Sequence, residues 1–68
     1  MQNNVQQLRQ EMELSQAKLG EMVGVSRQTI NSLEAGRYNP SITLAFRLSK
    51  VFDKKIEEIF IYEENEDE

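Results

Sequence analysis

Apolar residues recur along most of the chain at the three-and-four spacing of an α-helix, and no alternation of period two runs long enough to predict a strand. Val5, Leu8 and Met12 mark one face of a first helix. Ser15 suits the N-cap of a second helix, Gln16 to Val23, whose apolar side is Leu19, Met22 and Val23. Gly24 ends it, because glycine takes the left-handed conformation without steric cost. Ser26 caps a third helix, Arg27 to Ala35, anchored by Ile30 and Leu33 and stopped by Gly36. Arg37, Tyr38, Asn39 and Pro40 form a loop, since Pro40 cannot continue a helix and biases Asn39 away from helical geometry. Ser41 caps a fourth helix reaching about Phe52, with Ile42, Ala45, Leu48, Val51 and Phe52 facing in. Ile56, Ile59 and Phe60 predict a short fifth helix. The closing EENEDE holds no apolar residue and is expected to be a solvated, mobile tail. The pattern therefore predicts a compact all-α domain of five helices over residues 1–62 and an acidic flexible tail over 63–68.

Length and composition narrow the function. Sixty-eight residues allow one small domain, with no room for a separate ligand-sensing unit, so no small-molecule ligand or cofactor is expected. The absence of Cys removes disulfides, thiolate catalysis and Cys-based zinc sites, and the absence of His removes the commonest neutral-pH base and metal ligand. Thr29, Ser32 and Ser49 have no His or Lys spaced to activate them, and no loop has calcium-site spacing. No enzyme and no metal site are expected. No run approaches the ~20 apolar residues of a membrane helix, and the first residues are too polar for a secretory signal, so a cytoplasmic location is expected.

The net charge of −4 is unevenly placed. Residues 1–56 hold all eight basic residues and five acidic ones, a body of +3; residues 57–68 hold the other seven acidic residues and no basic one, an end of −7. The overall sign argues against a polyanionic partner, but the body alone does not.

The informative segment is QAKLGEMVGVSRQTINSLEA, residues 16–35. Two helices joined only by Gly24, Val25 and Ser26 must cross steeply. That crossing requires apolar Leu19 and Val23 toward the core, a small Gly20 where the next helix passes, a positive φ at Gly24, Val25 as a plug, and Ile30 and Leu33 beneath the second helix. Every position complies. Together with Leu8 and Arg9 before it, and with Leu33, Glu34, Ala35 and Gly36 followed by Asn39, Pro40 and Ser41 after it, the segment resembles the Cro/cI-like (XRE-type) helix-turn-helix DNA-binding domains. The resemblance covers residues 5–60. It implies a five-helix fold of the phage-repressor type with the third helix in the DNA major groove. Two positions depart from the family. Gly20 stands where Ala is usual, at a helix-propensity cost of ~1 kcal/mol or less. Lys54 and Lys55 replace an apolar–Ser pair, which leaves the fifth helix without its usual N-cap.

With Ile30 and Leu33 inward, Gln28, Asn31, Ser32 and Ala35 share the outer face of the third helix, and Arg27 sits beside them. The face is polar without being uniformly charged. Arg suits guanine O6 and N7, Gln and Asn suit adenine N6 and N7, and small residues allow close approach. Within the family frame Arg27, Gln28, Asn31 and Ser32 become the expected base readers. Phosphate contacts are expected from Gln16 at the start of the second helix, from Ser41 and Thr43 at the start of the fourth, from Thr29, and from Arg37, Tyr38 and Asn39 in the loop. Capping is an additional role for Ser41, and loop packing an alternative one for Tyr38. Arg9 and Glu34 fall on inward stripes of the first and third helices and are expected to form a structural ion pair, the alternative being that both reach to water.

These features predict a sequence-specific double-stranded DNA-binding transcriptional regulator, by default a repressor by occupancy with activation through polymerase contact as the alternative, acting as a homodimer on a two-fold operator. Ile59, Phe60, Ile61 and Tyr62 exceed what one short helix needs to bury, and are either part of the dimer surface or a lid on the monomer core. The alternative function is a protein-interaction module of the same fold, antitoxin-like or with the acidic tail mimicking DNA; such a module would favour exposed aromatics on the third helix, which has none.

Overall fold

A computed structural model describes residues 1–62, so the tail expected over 63–68 lies outside the described residues. The chain runs through β1 (Gln2–Asn3), α1 (Val5–Glu11), α2 (Gln16–Val23), α3 (Arg27–Glu34), α4 (Ile42–Phe52), α5 (Ile56–Ile59) and β2 (Phe60–Ile61). The fold is a five-helix domain of helix-turn-helix type. Three serine hydroxyls fix the starts of the central helices. Ser15 Oγ accepts from the Lys18 N–H at 3.0 Å, Ser26 Oγ from Thr29 at 3.1 Å, and Ser41 Oγ from Leu44 at 3.1 Å. Each satisfies a donor that the first helical turn leaves unpaired, worth about 1 kcal/mol. At α5 no hydroxyl is available, but the start is not left open: the Lys55 N–H donates to Glu58 Oε1 at 2.8 Å, a side chain reaching back from the first turn.

The helix ends are as specific as the starts. Gly24 closes α2 at φ 79°, and the Gly20 carbonyl accepts from the Val25 N–H at 2.9 Å. Ala35 is the C-cap of α3, which therefore ends one residue earlier than the sequence predicts. Glu13 and Asp53 take the same left-handed conformation after α1 and α4, at φ 59° and 53°, without being glycine. The Leu14 N–H then bonds to the Arg9 carbonyl at 3.0 Å and the Lys54 N–H to that of Ser49 at 3.1 Å.

The core comprises Val5, Leu19, Val23, Ile30, Leu33, Leu44, Ala45, Leu48, Phe52, Ile59 and Phe60. Leu8, Val51 and Ile56 are partly buried against it, and three further expected core positions are exposed. Met12 falls where α1 has already ended, Met22 lies off the Leu19–Val23 line of α2, and Ile42 is 76% exposed. On α4 two apolar stripes compete, Leu44 with Leu48 and Ile42 with Phe46, and the first is the one buried.

The two strands were not expected, because a two-residue strand carries no legible alternation. Gln2 pairs with Ile61 and Asn3 with Phe60, antiparallel, and the Asn4 N–H donates to the Ile59 carbonyl at 2.8 Å. Asn3 ties this ribbon to α3: its Nδ2 donates to the Leu33 carbonyl at 2.8 Å, while its Oδ1 accepts from the Val5 N–H at 3.1 Å. Pairing draws Ile59 and Phe60 into the core and leaves Ile61 and Tyr62 exposed.

Candidate nucleic-acid interface

The turn between α2 and α3 folds back closely on α2 at one residue. A Cβ on Gly20 would stand 2.6 Å from the Val25 carbonyl oxygen, so the backbone of the turn leaves space there for a hydrogen alone. The glycine that reads as a propensity cost in the sequence is required by the packing of this turn. Arg47 of α4 closes the turn from the other side, its Nη1 donating to the Val23 carbonyl at 3.2 Å where α2 ends. Nothing near Arg47 in the sequence marks it for this role.

Ile30 and Leu33, both fully buried, hold α3 by its inner face. On its outer side Arg27, Gln28, Asn31 and Ala35 are exposed and Ser32 is half-buried. Thr29 is also half-buried and takes part in the N-cap, its hydroxyl lying 3.0 Å from that of Ser26.

Beneath this face lies a polar cluster. Arg9 Nε donates to Glu34 Oε2 at 2.7 Å and Nη2 to Oε1 at 3.2 Å, while Nη1 donates to the Leu14 carbonyl at 2.8 Å. Both side chains are nearly buried, at 11% and 5% exposure. The hydrogen bonds to Glu34 raise the Arg9 pKa against the opposing pull of burial, and the carboxylate charge adds to the rise. Gln16, at the first position of α2, extends the cluster outward: its Nε2 donates to Glu34 Oε1 at 3.0 Å and to Asn31 Oδ1 at 3.3 Å.

The structure thus joins Gln16, Asn31, Glu34 and Arg9 in one network. Arg37, Tyr38 and Asn39 are exposed on the loop from α3 to α4, Ser41 is the α4 N-cap, and Thr43 is exposed in the first turn. Among the described residues no hydrogen bond links these five side chains to α3. A separate apolar groove runs along α4, lined by Pro40, Ile42, Ala45, Phe46, Ile56 and Phe60. Among the described residues no group of His, Cys, Asp and Glu is placed to hold a metal, and no helix is long and apolar enough to cross a membrane.

What the outer face of α3 offers is a row of hydrogen-bonding groups that can approach a flat, polar edge. A family model described as helix-turn-helix matches residues 5–59. The chain is 48% identical over 66 residues to an uncharacterized HTH-type transcriptional regulator of Methanocaldococcus jannaschii, covering 97% of this chain and 100% of the relative. It is 48% identical over 64 residues to the uncharacterized HTH-type transcriptional regulator YgzD of Bacillus subtilis, covering 94% and 97%. A further such regulator, of Archaeoglobus fulgidus, is 44% identical over 66 residues, covering 97% and 93%.

Proposed function

Since the chain belongs to the helix-turn-helix family of transcriptional regulators, we propose that it is a Cro/cI-like, sequence-specific double-stranded DNA-binding repressor with α3 in the major groove. The observation that carries this reading is α3 itself, a helix fixed by Ile30 and Leu33 whose exposed side offers Arg27, Gln28 and Asn31, with Ser32 half-buried beside them. In this reading those four residues touch base edges. Arg37, Tyr38, Asn39 and Thr43 reach phosphate from exposed positions. Thr29 and Ser41 do so through their hydroxyls and Gln16 through its backbone N–H, from the starts of α3, α4 and α2, where unpaired N–H groups favour an anion. The protein acts in the cytoplasm and represses by occupying its operator.

The active unit is a homodimer. One such domain reads only a few base pairs, and a two-fold pair reads two half-sites about one helical turn apart. The surface assigned to the second copy is the groove along α4, where Ile42 and Phe46 are 76% and 56% exposed. Selection of binding sites from a random DNA pool tests the reading. Enrichment of a two-fold related motif is the expected outcome. Retention of bulk DNA without any enriched motif contradicts it.

A further inference from the structure

Each amide in the cluster beneath α3 has a polarity that its neighbour dictates. The ion pair sets the first. Arg9 grips both oxygens of the Glu34 carboxylate, and an ionised carboxylate only accepts hydrogen bonds. The Gln16 group 3.0 Å from Glu34 Oε1 is therefore its NH2 and not its carbonyl. That NH2 has a second proton, and the atom 3.3 Å away on Asn31 must accept it, so Asn31 turns Oδ1 toward Gln16. A reversed Asn31 would set two NH2 groups against each other. Asn31 is exposed on α3, and its remaining polar group is the donor Nδ2.

From this geometry we infer that Gln16 is a positioning residue that fixes the polarity of Asn31, so that Asn31 presents a donor to the DNA and prefers guanine to adenine. Guanine offers two adjacent acceptors, O6 and N7, in the major groove; adenine offers N7 beside its own N6 donor, which opposes an NH2. A freely turning Asn could meet adenine with both ends, accepting from N6 and donating to N7. The buried Arg9–Glu34 pair thus selects, through Gln16, which of these two readings the exposed side chain makes. The inference rests on α3 lying in the major groove.

The test uses the full chain and an operator selected from random DNA. The base facing Asn31 is located by comparing wild type with Asn31→Ala on operators changed one base pair at a time. At that base wild type should prefer guanine to adenine by about tenfold or more, within the range of a good base contact. In Gln16→Leu the preference should fall to about threefold or less, while discrimination at all other bases is kept. Gln16→Lys retains a donor for both Glu34 and Asn31 and should keep the preference. Circular dichroism confirms that each variant is folded, and should Gln16→Leu not fold, loss of the preference in Gln16→Ala and its retention in Gln16→Lys decide the matter. If Gln16→Leu binds every sequence more weakly by one common factor, Gln16 touches phosphate only and the inference fails. A wild-type preference for adenine at this base also overturns it. Both failures leave the DNA-binding reading standing, which fails only if no operator is selected.

Discussion

Arg9→Ala removes the cation that holds the polar cluster together. The 2.7 Å contact with Glu34 corresponds to a gross attraction of ~6 kcal/mol at an effective dielectric of 20. Most of that offsets the desolvation of the two groups, so the pair adds little net stability over an apolar pair of similar volume. Removing one partner is different. Glu34, at 5% side-chain exposure, would keep Gln16 as a donor but lose both guanidinium bonds, and the Leu14 carbonyl would lose its donor as well. Breaking a buried pair in this way costs roughly 3–5 kcal/mol, and the residual 11% exposure of Arg9 favours the lower end. A core of this size supplies only ~3–5 kcal/mol in total. Arg9→Ala should therefore be largely unfolded at 25 °C in water, whereas the wild type should be folded and unfold cooperatively. The double variant Arg9→Met, Glu34→Leu, which leaves no unpaired charge, should recover most of the loss. Urea titration followed by helical circular dichroism reads all three proteins. A loss below ~1 kcal/mol in Arg9→Ala, or a double variant no more stable than the single one, would show instead that the pair is effectively solvated.

Gly20→Ala should lower the melting temperature, because a Cβ 2.6 Å from the Val25 carbonyl forces backbone to move, at ~1–3 kcal/mol, and outweighs a propensity gain of ~1 kcal/mol; a higher melting temperature would show that the turn yields freely. Phe46→Glu on the α4 groove should leave the monomer folded but shift the protein toward one copy per operator in sedimentation, while unchanged dimer on DNA would place the interface elsewhere. Deleting residues 63–68 removes five negative charges and should tighten binding to specific and random DNA alike. That gain should shrink between 0.01 and 0.1 M salt as the Debye length falls from ~30 to ~10 Å, and identical affinities at low salt would contradict it.

The parts of the fold legible in the sequence are those written in local chemistry. Ser15, Ser26 and Ser41 mark helix starts because a hydroxyl cap acts within three residues, and Gly24 marks an end because φ is a property of one residue. Glu13 and Asp53 adopt the same left-handed geometry without glycine, so their helix ends are less plain. Periodicity predicts an apolar stripe but not which of two stripes is covered, and on α4 it favours Ile42 where the fold buries Leu44. The β1–β2 pairing and the Arg47 bond to Val23 join residues far apart in sequence, and no local pattern encodes them. At the interface, the periodicity of α3 already groups Gln28, Asn31 and Ser32. The bonds from Gln16 to Glu34 and Asn31 depend on how α2 crosses α3, and only the folded chain reveals them.

Base reading by the outer face of α3 is what separates a specific regulator from a general DNA binder. Fluorescence titrations of wild type, Arg27→Ala and Gln28→Ala against the selected operator and against random DNA, at one fixed salt concentration, address it directly. Each variant should lose ~1–3 kcal/mol on the operator and much less on random DNA. Equal losses on both DNAs would mean that these side chains touch only the phosphate backbone and that the specificity of this chain lies elsewhere.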